Sequence, residues 1–439
     1  MSAALVPWRR TAVIVALTAA VCAAVAARQV LAIPGFLTGR GTPLGVLSLS
    51  PLVMVAWQVA LYPWGSRPLR GQPGATRLGH VIVVPCYNED PGILSASLES
   101  MLAQSRLPDH VYVVDDGSTA AEYETVRREM AARFDAAGVR LSWQRTINQG
   151  KRHALAVAVE ATPDADIYVT VDSDTRLSPD ALEEILQPFA DPRVESVAGI
   201  VMSSNNRATL LARILDLLYT STQLVNRGGL SVMGSVLVNS GGFAAYRAAV
   251  LREGLPAFLN EKFFGRPVEF SDDAVLTFLA KARGRTVQQP SAIALCAMPE
   301  RWSHHRRQYL RWMRGMFIRT WWRFRYLPPL SYLYWWHLLQ WVTFVTATWD
   351  AGEAVVAVIG GDGPPSGLIG LALISYVTTL PYLTIRRSDE SLACRLATWL
   401  LAPAAMLWNY SVLYAFRWWG MATCLKTGWG TRQKVEVTL

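Results

Sequence analysis

Hydrophobic residues are concentrated at the two ends of this chain, and that unevenness limits what it can fold into. The opening run "WRRTAVIVALTAAVCAAVAARQVLAI" sets Arg9 and Arg10 ahead of an apolar stretch long enough to cross roughly 30 Å of hydrocarbon. A second run, "LGVLSLSPLVMVAWQVALYPW" from Leu44 to Trp64, follows at once and ends ahead of Arg67 and Arg70. Basic residues outside both runs predict a transmembrane hairpin over residues 1–70 with both ends in the cytoplasm. A cleaved signal peptide is the rival reading, because small residues near Ala26 suit a peptidase. The second run favours the hairpin. Composition agrees with a membrane protein: 51% hydrophobic, 17% charged and 17 Trp in 439 residues, with a mean hydropathy of +0.21. A soluble globular chain carries more charge. The formal net charge of +9 suits a membrane surface and phosphate groups. The five cysteines contain no CxxC pair, so neither a zinc site nor a disulfide framework is indicated.

Between residues 77 and 300 the character changes. "HVIVVPCYNED", "HVYVVDDGST" and "DIYVTVDSDT" are β-branched runs that each end in acidic residues, and helical stretches such as "AEYETVRREMAARFDAAG" separate them. Strand–helix alternation predicts an α/β domain with a parallel sheet, whose ligands bind outside the carboxyl ends of the strands. A lone acid at such a place reads as a helix cap. Three acidic tips in one crevice repel one another and call for a cation. Hard oxygen ligands suit Mg²⁺ or Mn²⁺, held by one or two carboxylates plus substrate phosphates. Asp172-Ser173-Asp174 is therefore a candidate metal–diphosphate clamp, and Lys151 of "NQGKRHAL" a candidate phosphate or base contact. In "EFSDDAVLTFLA", Asp272 and Asp273 open a helix, where its dipole alone would favour acids.

Taken in order, "VVPCYNED", "VVDDGS", "GKRHAL" and "DSDT" resemble the nucleotide-sugar half of inverting family 2 glycosyltransferases. The resemblance implies a GT-A fold, with Pro85, Tyr87, Glu89, Asp115, Asp116, Lys151, Asp172 and Asp174 around a UDP-sugar. Asp116 and Tyr87 would lie near the uridine, and Asp174 and Asp172 would hold the metal. Asp273 is implied as the base that takes the proton of the acceptor hydroxyl. Ser271 and Ala274 depart from the family's Gly and from an Arg common in hyaluronan synthases.

"RWSHHRRQYLRWMRGMFIRTWWRFRYL" interleaves basic and aromatic residues. It predicts an amphipathic interface helix over 301–328, with arginines at lipid headgroups. Such a stretch can also bind nucleic acid; its place beside apolar runs argues for the membrane instead. Gln308, Arg311 and Trp312 make the QxxRW signature of processive members, with Gln308 and Arg311 on one helix face and Trp312 as a stacking surface. "NSGGFAAYR" resembles the family's acceptor-site segment, which implies acceptor contacts for Ser240, Gly241, Tyr246 and Arg247, with Asp272 beside them. Residues 329–420 predict three to four further spans. Leu392–Trp419 is long for one span and short for two, and Pro403 is expected to divide it. Trp429, Gly430, Thr431 and Arg432 resemble the WGTR motif of hyaluronan synthases, which implies a cytosolic gating loop within 421–439. The expectation is thus a plasma-membrane, multi-pass synthase with a cytoplasmic catalytic domain. Its partners would be UDP-GlcNAc, UDP-glucuronate, a growing polysaccharide and the bilayer, with self-association left open. A chitin-like or other GlcNAc or glucose polymer, and a lipid-linked single-sugar transfer, are the alternatives.

Overall fold

The computed structural model describes residues 3–5, 50–69, 77–119, 123–361 and 366–428. The first apolar run and the WGTR residues lie outside them. The eight strands of the main sheet are β1 (His80–Cys86), β2 (His110–Asp115), β3 (Arg140–Arg145), β4 (Ile167–Val171), β5 (Thr175–Leu177), β6 (Val194–Ser203), β7 (Phe243–Arg247) and β8 (Arg285–Cys296). Their order is β3-β2-β1-β4-β7-β6-β8-β5. The first four are parallel, β7 runs antiparallel to both its neighbours, and β5 caps β8 in the antiparallel sense. The sheet is therefore mixed, where sequence alternation predicts a parallel one. Strand order reverses between β1 and β4, the place where ligands bind in such sheets.

Local sequence explains the elements. Residues 81–84 of β1 and all of β4 are apolar or Thr and buried, as strands covered on both faces must be. Two apolar clusters line the two faces of the sheet, one built on Ile82, Leu98, Met130 and Phe134, the other on Val83, Leu155, Tyr168 and Leu276. Pairing between β1 and β4 stops at Val83 and Thr170. Pro85, which has no N–H to donate, lies just beyond, so the two strand tips part where the acidic residues stand.

Helices are named here as α1 (Ser50–Gly65), α2 (Lys151–Ala161), α3 (Leu210–Thr222), α4 (Asp272–Arg283) and α5 (Trp302–Tyr326). Residues 50–64 of the second apolar run lie in α1, and the basic aromatic stretch forms α5 as one continuous helix. Among the described residues no single helix is long and apolar enough to cross a membrane. Leu392–Leu400 and Ala402–Ala422 pass that test together, bent by 44° next to Pro403. The first leg, at 1.5 Å per residue, is too short to cross alone. One expectation needs correction: not every arginine of α5 faces outward. Arg319 and Arg323 are buried, Arg319 paired with Glu261 and Arg323 donating to the Leu237 carbonyl at 3.2 Å.

Candidate active site

The α2 helix starts after Gly150, whose φ of +91° suits only glycine without strain. Asp116, at the tip of β2, fixes that turn by accepting the N–H groups of Gln149 at 2.9 Å and Gly150 at 2.8 Å. Asp115 accepts from Ser118 N at 2.8 Å. Tyr87 is half-buried at the end of β1, and buried Glu89 accepts from the Ser173 hydroxyl at 3.1 Å. The ends of β1, β2 and β4 and the start of α2 thus meet in one crevice.

Lys151 ties the crevice together. Its ammonium lies 2.5 Å from Asp172 Oδ1 and 3.2 Å from Asp272 Oδ2. Burial alone would lower its pKa, but the carboxylates of Asp172 and Asp272 outweigh burial and hold it well above the usual lysine value. Asp272 is buried, yet Lys151 and Arg152 keep its pKa low. Asp273 goes the other way: burial and the Asp272 charge push its pKa up to about 7 against the pull of Lys151. Neighbouring acids with opposed shifts divide the labour of a site, one fixed as an anion and one poised to take a proton. The helix-dipole alternative also holds, since α4 carries Asp272 and Asp273 in its first turn and Lys281 and Arg283 in its last. It does not account for Lys151 bridging that turn to Asp172.

Gly241 closes one wall of the crevice. A Cβ there would lie 3.3 Å from Lys151 Nζ and 3.7 Å from Asp273 Cβ. Ser240 accepts a hydrogen bond from Arg227 at 2.7 Å. Tyr246 is fully buried beneath the site, where burial and then the Asp273 charge push its pKa up. Arg247 is not brought to the site. It pairs with Ile167 at the opposite end of β4, and its guanidinium is used by the carbonyls of Val194, Phe189 and Asp191. Its expected acceptor contact is therefore corrected to a structural one.

On α5, Gln308 Oε1 is buried without a hydrogen-bond partner, and Arg311 is half-buried. Exposed Trp312 packs edge-on against Tyr219 of α3 at 5.6 Å. The α5 helix reaches the acid pair through Gly315. A Cβ there would fall 1.8 Å from Ser271 Oγ, so the serine side chain occupies the space the glycine leaves. Ser271 itself sits at φ +57°. Gly315→Ala is expected to cost about 1–3 kcal/mol by overpacking and to lower turnover. Adding Ser271→Gly should restore both, as a thermal melt and a rate assay on the double variant will show. The described chain ends beside this loop, with Glu269 N donating to Thr427 O at 3.1 Å.

Sequence reasoning missed Arg227 and Glu261. Both lie outside any motif, and the partners they find in the fold reveal them. Asp172 and Asp174 stand on either side of the turn that leads into β5, where Thr175 N donates to Asp172 O at 3.0 Å. Their hard oxygens fit a divalent cation. Among the described residues no three His, Cys, Asp or Glu side chains gather as a metal cage.

Comparison with known proteins places this geometry. The family model for glycosyltransferase-like family 2 matches residues 79–315. The hyaluronan synthase of Streptococcus pyogenes is 30% identical over 394 residues, covering 90% of this chain and 91% of that one. An N-acetylglucosaminyltransferase of Rhizobium leguminosarum bv. viciae is 28% identical over 367 residues, 81% of this chain and 82% of that one. Among solved structures, a mannosyltransferase from Pyrobaculum calidifontis in complex with GDP-Man and Mn²⁺ superposes with a TM-score of 0.53 at 20% identity, covering 89% of this chain and 100% of that one. The mixed sheet is thus of the GT-A type. The chain belongs to glycosyltransferase family 2 and is a homologue of the hyaluronan synthases.

Proposed function

We propose that this glycosyltransferase is a membrane-embedded, processive, inverting polymerase that builds hyaluronan from UDP-GlcNAc and UDP-glucuronate and exports it. The observation that carries the reading is Lys151, whose one ammonium joins the donor-side Asp172 to the acid pair that holds the base. An acceptor hydroxyl attacks the anomeric carbon, the bond to UDP breaks, and Asp273 takes the hydroxyl proton. Asp172 and Asp174 would hold Mg²⁺ or Mn²⁺, which compensates the charge on the departing diphosphate. Asp116 and Tyr87 would contact the uridine. Gln308, with its unused oxygen, and Trp312, with its exposed ring, would keep the chain end bound between transfers. Residues 1–70 and 329–420 would anchor a cytoplasmic catalytic domain to the plasma membrane. The relatives that transfer N-acetylglucosamine favour a second reading, a GlcNAc-only polymer.

The test is to supply the purified full chain with UDP-GlcNAc and UDP-glucuronate, singly and together, and to digest the product with linkage-specific hydrolases. Polymer only with both donors supports hyaluronan; polymer from UDP-GlcNAc alone supports the second reading. Asp174→Asn is expected to abolish metal-dependent turnover while the fold persists, and near-normal rates in the same buffer would sink the metal assignment. Trp312→Ala removes a stacking surface worth about 1–3 kcal/mol by analogy with base–aromatic stacking. It should shorten or abolish polymer while UDP release by donor hydrolysis continues. Full-length product at the parental rate would remove Trp312 from the acceptor site.

A further inference from the structure

The helical stretch from Leu210 to Val232 is not uniform. Gln223–Arg227 forms a π-helical turn between α3 and the short helix Gly228–Val232. Such turns are rare inside helices and concentrate at functional sites. Beside Leu224 and Val225, the turn buries a charged side chain, Arg227. Its buried guanidinium makes four hydrogen bonds: Nε to Gln288 Oε1 at 2.5 Å, Nη1 to Ser240 Oγ at 2.7 Å, and Nη2 to Gly199 O at 2.5 Å and Gln223 Oε1 at 2.7 Å. All four acceptors are uncharged. Burial pushes the guanidinium's pKa down to about 9, and the carboxylate whose charge opposes that shift is Asp273.

Both sides of the turn are built closely. Ser240, held by Arg227, leads into Gly241, where an added Cβ would lie 3.3 Å from Lys151 Nζ and 3.7 Å from Asp273 Cβ. Asn239 N, just before it, donates to Thr277 Oγ1 at 2.9 Å, and that hydroxyl donates to Asp273 O at 2.6 Å. Behind the turn, α1 meets Gly228 backbone to backbone, so that a Cβ on Gly65 would fall 2.4 Å from Gly228 O. Arg227 is therefore pinned from outside by α1 and grips the acceptor segment from within.

We propose that Arg227 is a positioning residue for the transfer step, which holds Ser240–Gly242 against Asp273 and lends its charge to that carboxylate. The proposal rests on the reading of Asp273 as the base. The groups that face Asp273 are Asp272 on its own helix, Lys151 and Arg152 from α2, Asp172 at the end of β4, Tyr246 from β7, and Arg227. Removing one positive charge from that set leaves the proton on Asp273 harder to lose.

The experiment compares the full chain with Arg227→Met and Arg227→Lys for UDP affinity, kcat and the pH dependence of kcat. UDP affinity should stay within about twofold, since the turn lies on the acceptor side. Loss of the planar fork should lower kcat in both variants, on the order of 10²-fold for a displacement of about 1 Å. The acid limb of the pH profile should move up in Arg227→Met and stay near parental in Arg227→Lys. A parental kcat in Arg227→Met, or a fallen kcat with an unmoved acid limb, overturns the proposal. Should Arg227→Met fail to fold, Arg227→Lys and Ser240→Ala decide it: reduced kcat in both with UDP affinity intact supports positioning, and parental rates overturn it. Asp273→Asn, measured alongside, separates the two readings. Normal turnover there removes the base assignment. An inactive Asp273→Asn beside a parental Arg227→Met removes only the positioning role.

Discussion

Asp273→Asn should lose on the order of 10²–10⁴ in transfer rate, the contribution of a positioned base, while UDP still binds. Asn is nearly the same shape, and the surrounding contacts are to backbone: Ala274 N donates to Asp273 Oδ1 at 2.7 Å, and Thr277 donates to the Asp273 carbonyl. The fold of α4 has little reason to change. What disappears is a carboxylate that burial and Asp272 have pushed up to about 7. The base works only after it has lost its proton. The kcat of the parent should therefore climb as pH rises through about 7 and level off above it. A profile already flat well below 7, or an Asn variant that loses UDP affinity but keeps its rate at saturation, would move Asp273 out of this role.

Glu261→Ala should be the most damaging single change to stability. Glu261 follows the helix Ala248–Leu259 and stands between Arg152 of α2, at 2.8 Å, and Arg319 of α5, also at 2.8 Å. All three side chains are buried. The same Arg152 donates to the carbonyls of Phe258 and Phe270, the second just ahead of the Ser271 loop. Removing the carboxylate strips the buried Arg319 guanidinium of its ion-pair partner and leaves buried Arg152 only the more distant charges of Asp272, Asp273 and Glu269. Breaking a buried pair in this way costs about 3–5 kcal/mol, roughly 6–20 °C in Tm for a domain of this size. Glu124→Ala is the control, because its pairing with Arg127 is exposed and contributes little to stability. If thermal melts of the two variants in the same detergent coincide, the buried triad contributes nothing.

The parts of the site that sequence showed were those built from neighbours in the chain. Asp172 and Asp174, the Gly150–Lys151 turn and the Asp272–Asp273 pair each announce themselves within a few residues, because a strand end or a helix start fixes them locally. Arg247 misled for the same reason. It follows residues that line the crevice, but β7 runs antiparallel to β4 and carries it to the opposite end of that strand. Arg227 and Glu261 were invisible because their partners are distant in sequence: Gln288 lies 61 residues from Arg227, and Arg152 lies 109 from Glu261. No periodicity marks a π turn. The inward set of Arg319 was hidden because an arginine on an amphipathic helix reads as a headgroup contact until a buried acid is found opposite it.

The edge strand β5 has a consequence for how the protein is made. Thr175–Leu177 follows directly on the acidic turn, yet its sheet partner is Ala294–Cys296 of β8. About 120 further residues must leave the ribosome before that pairing can form, on the order of 6–24 s at roughly 5–20 residues per second. During that interval Asp174 leads into a strand whose sheet partner does not yet exist. Long-range pairing of this kind slows folding. Nascent chains halted before residue 285 should therefore be cut by protease near Thr175, and chains released beyond Cys296 should resist.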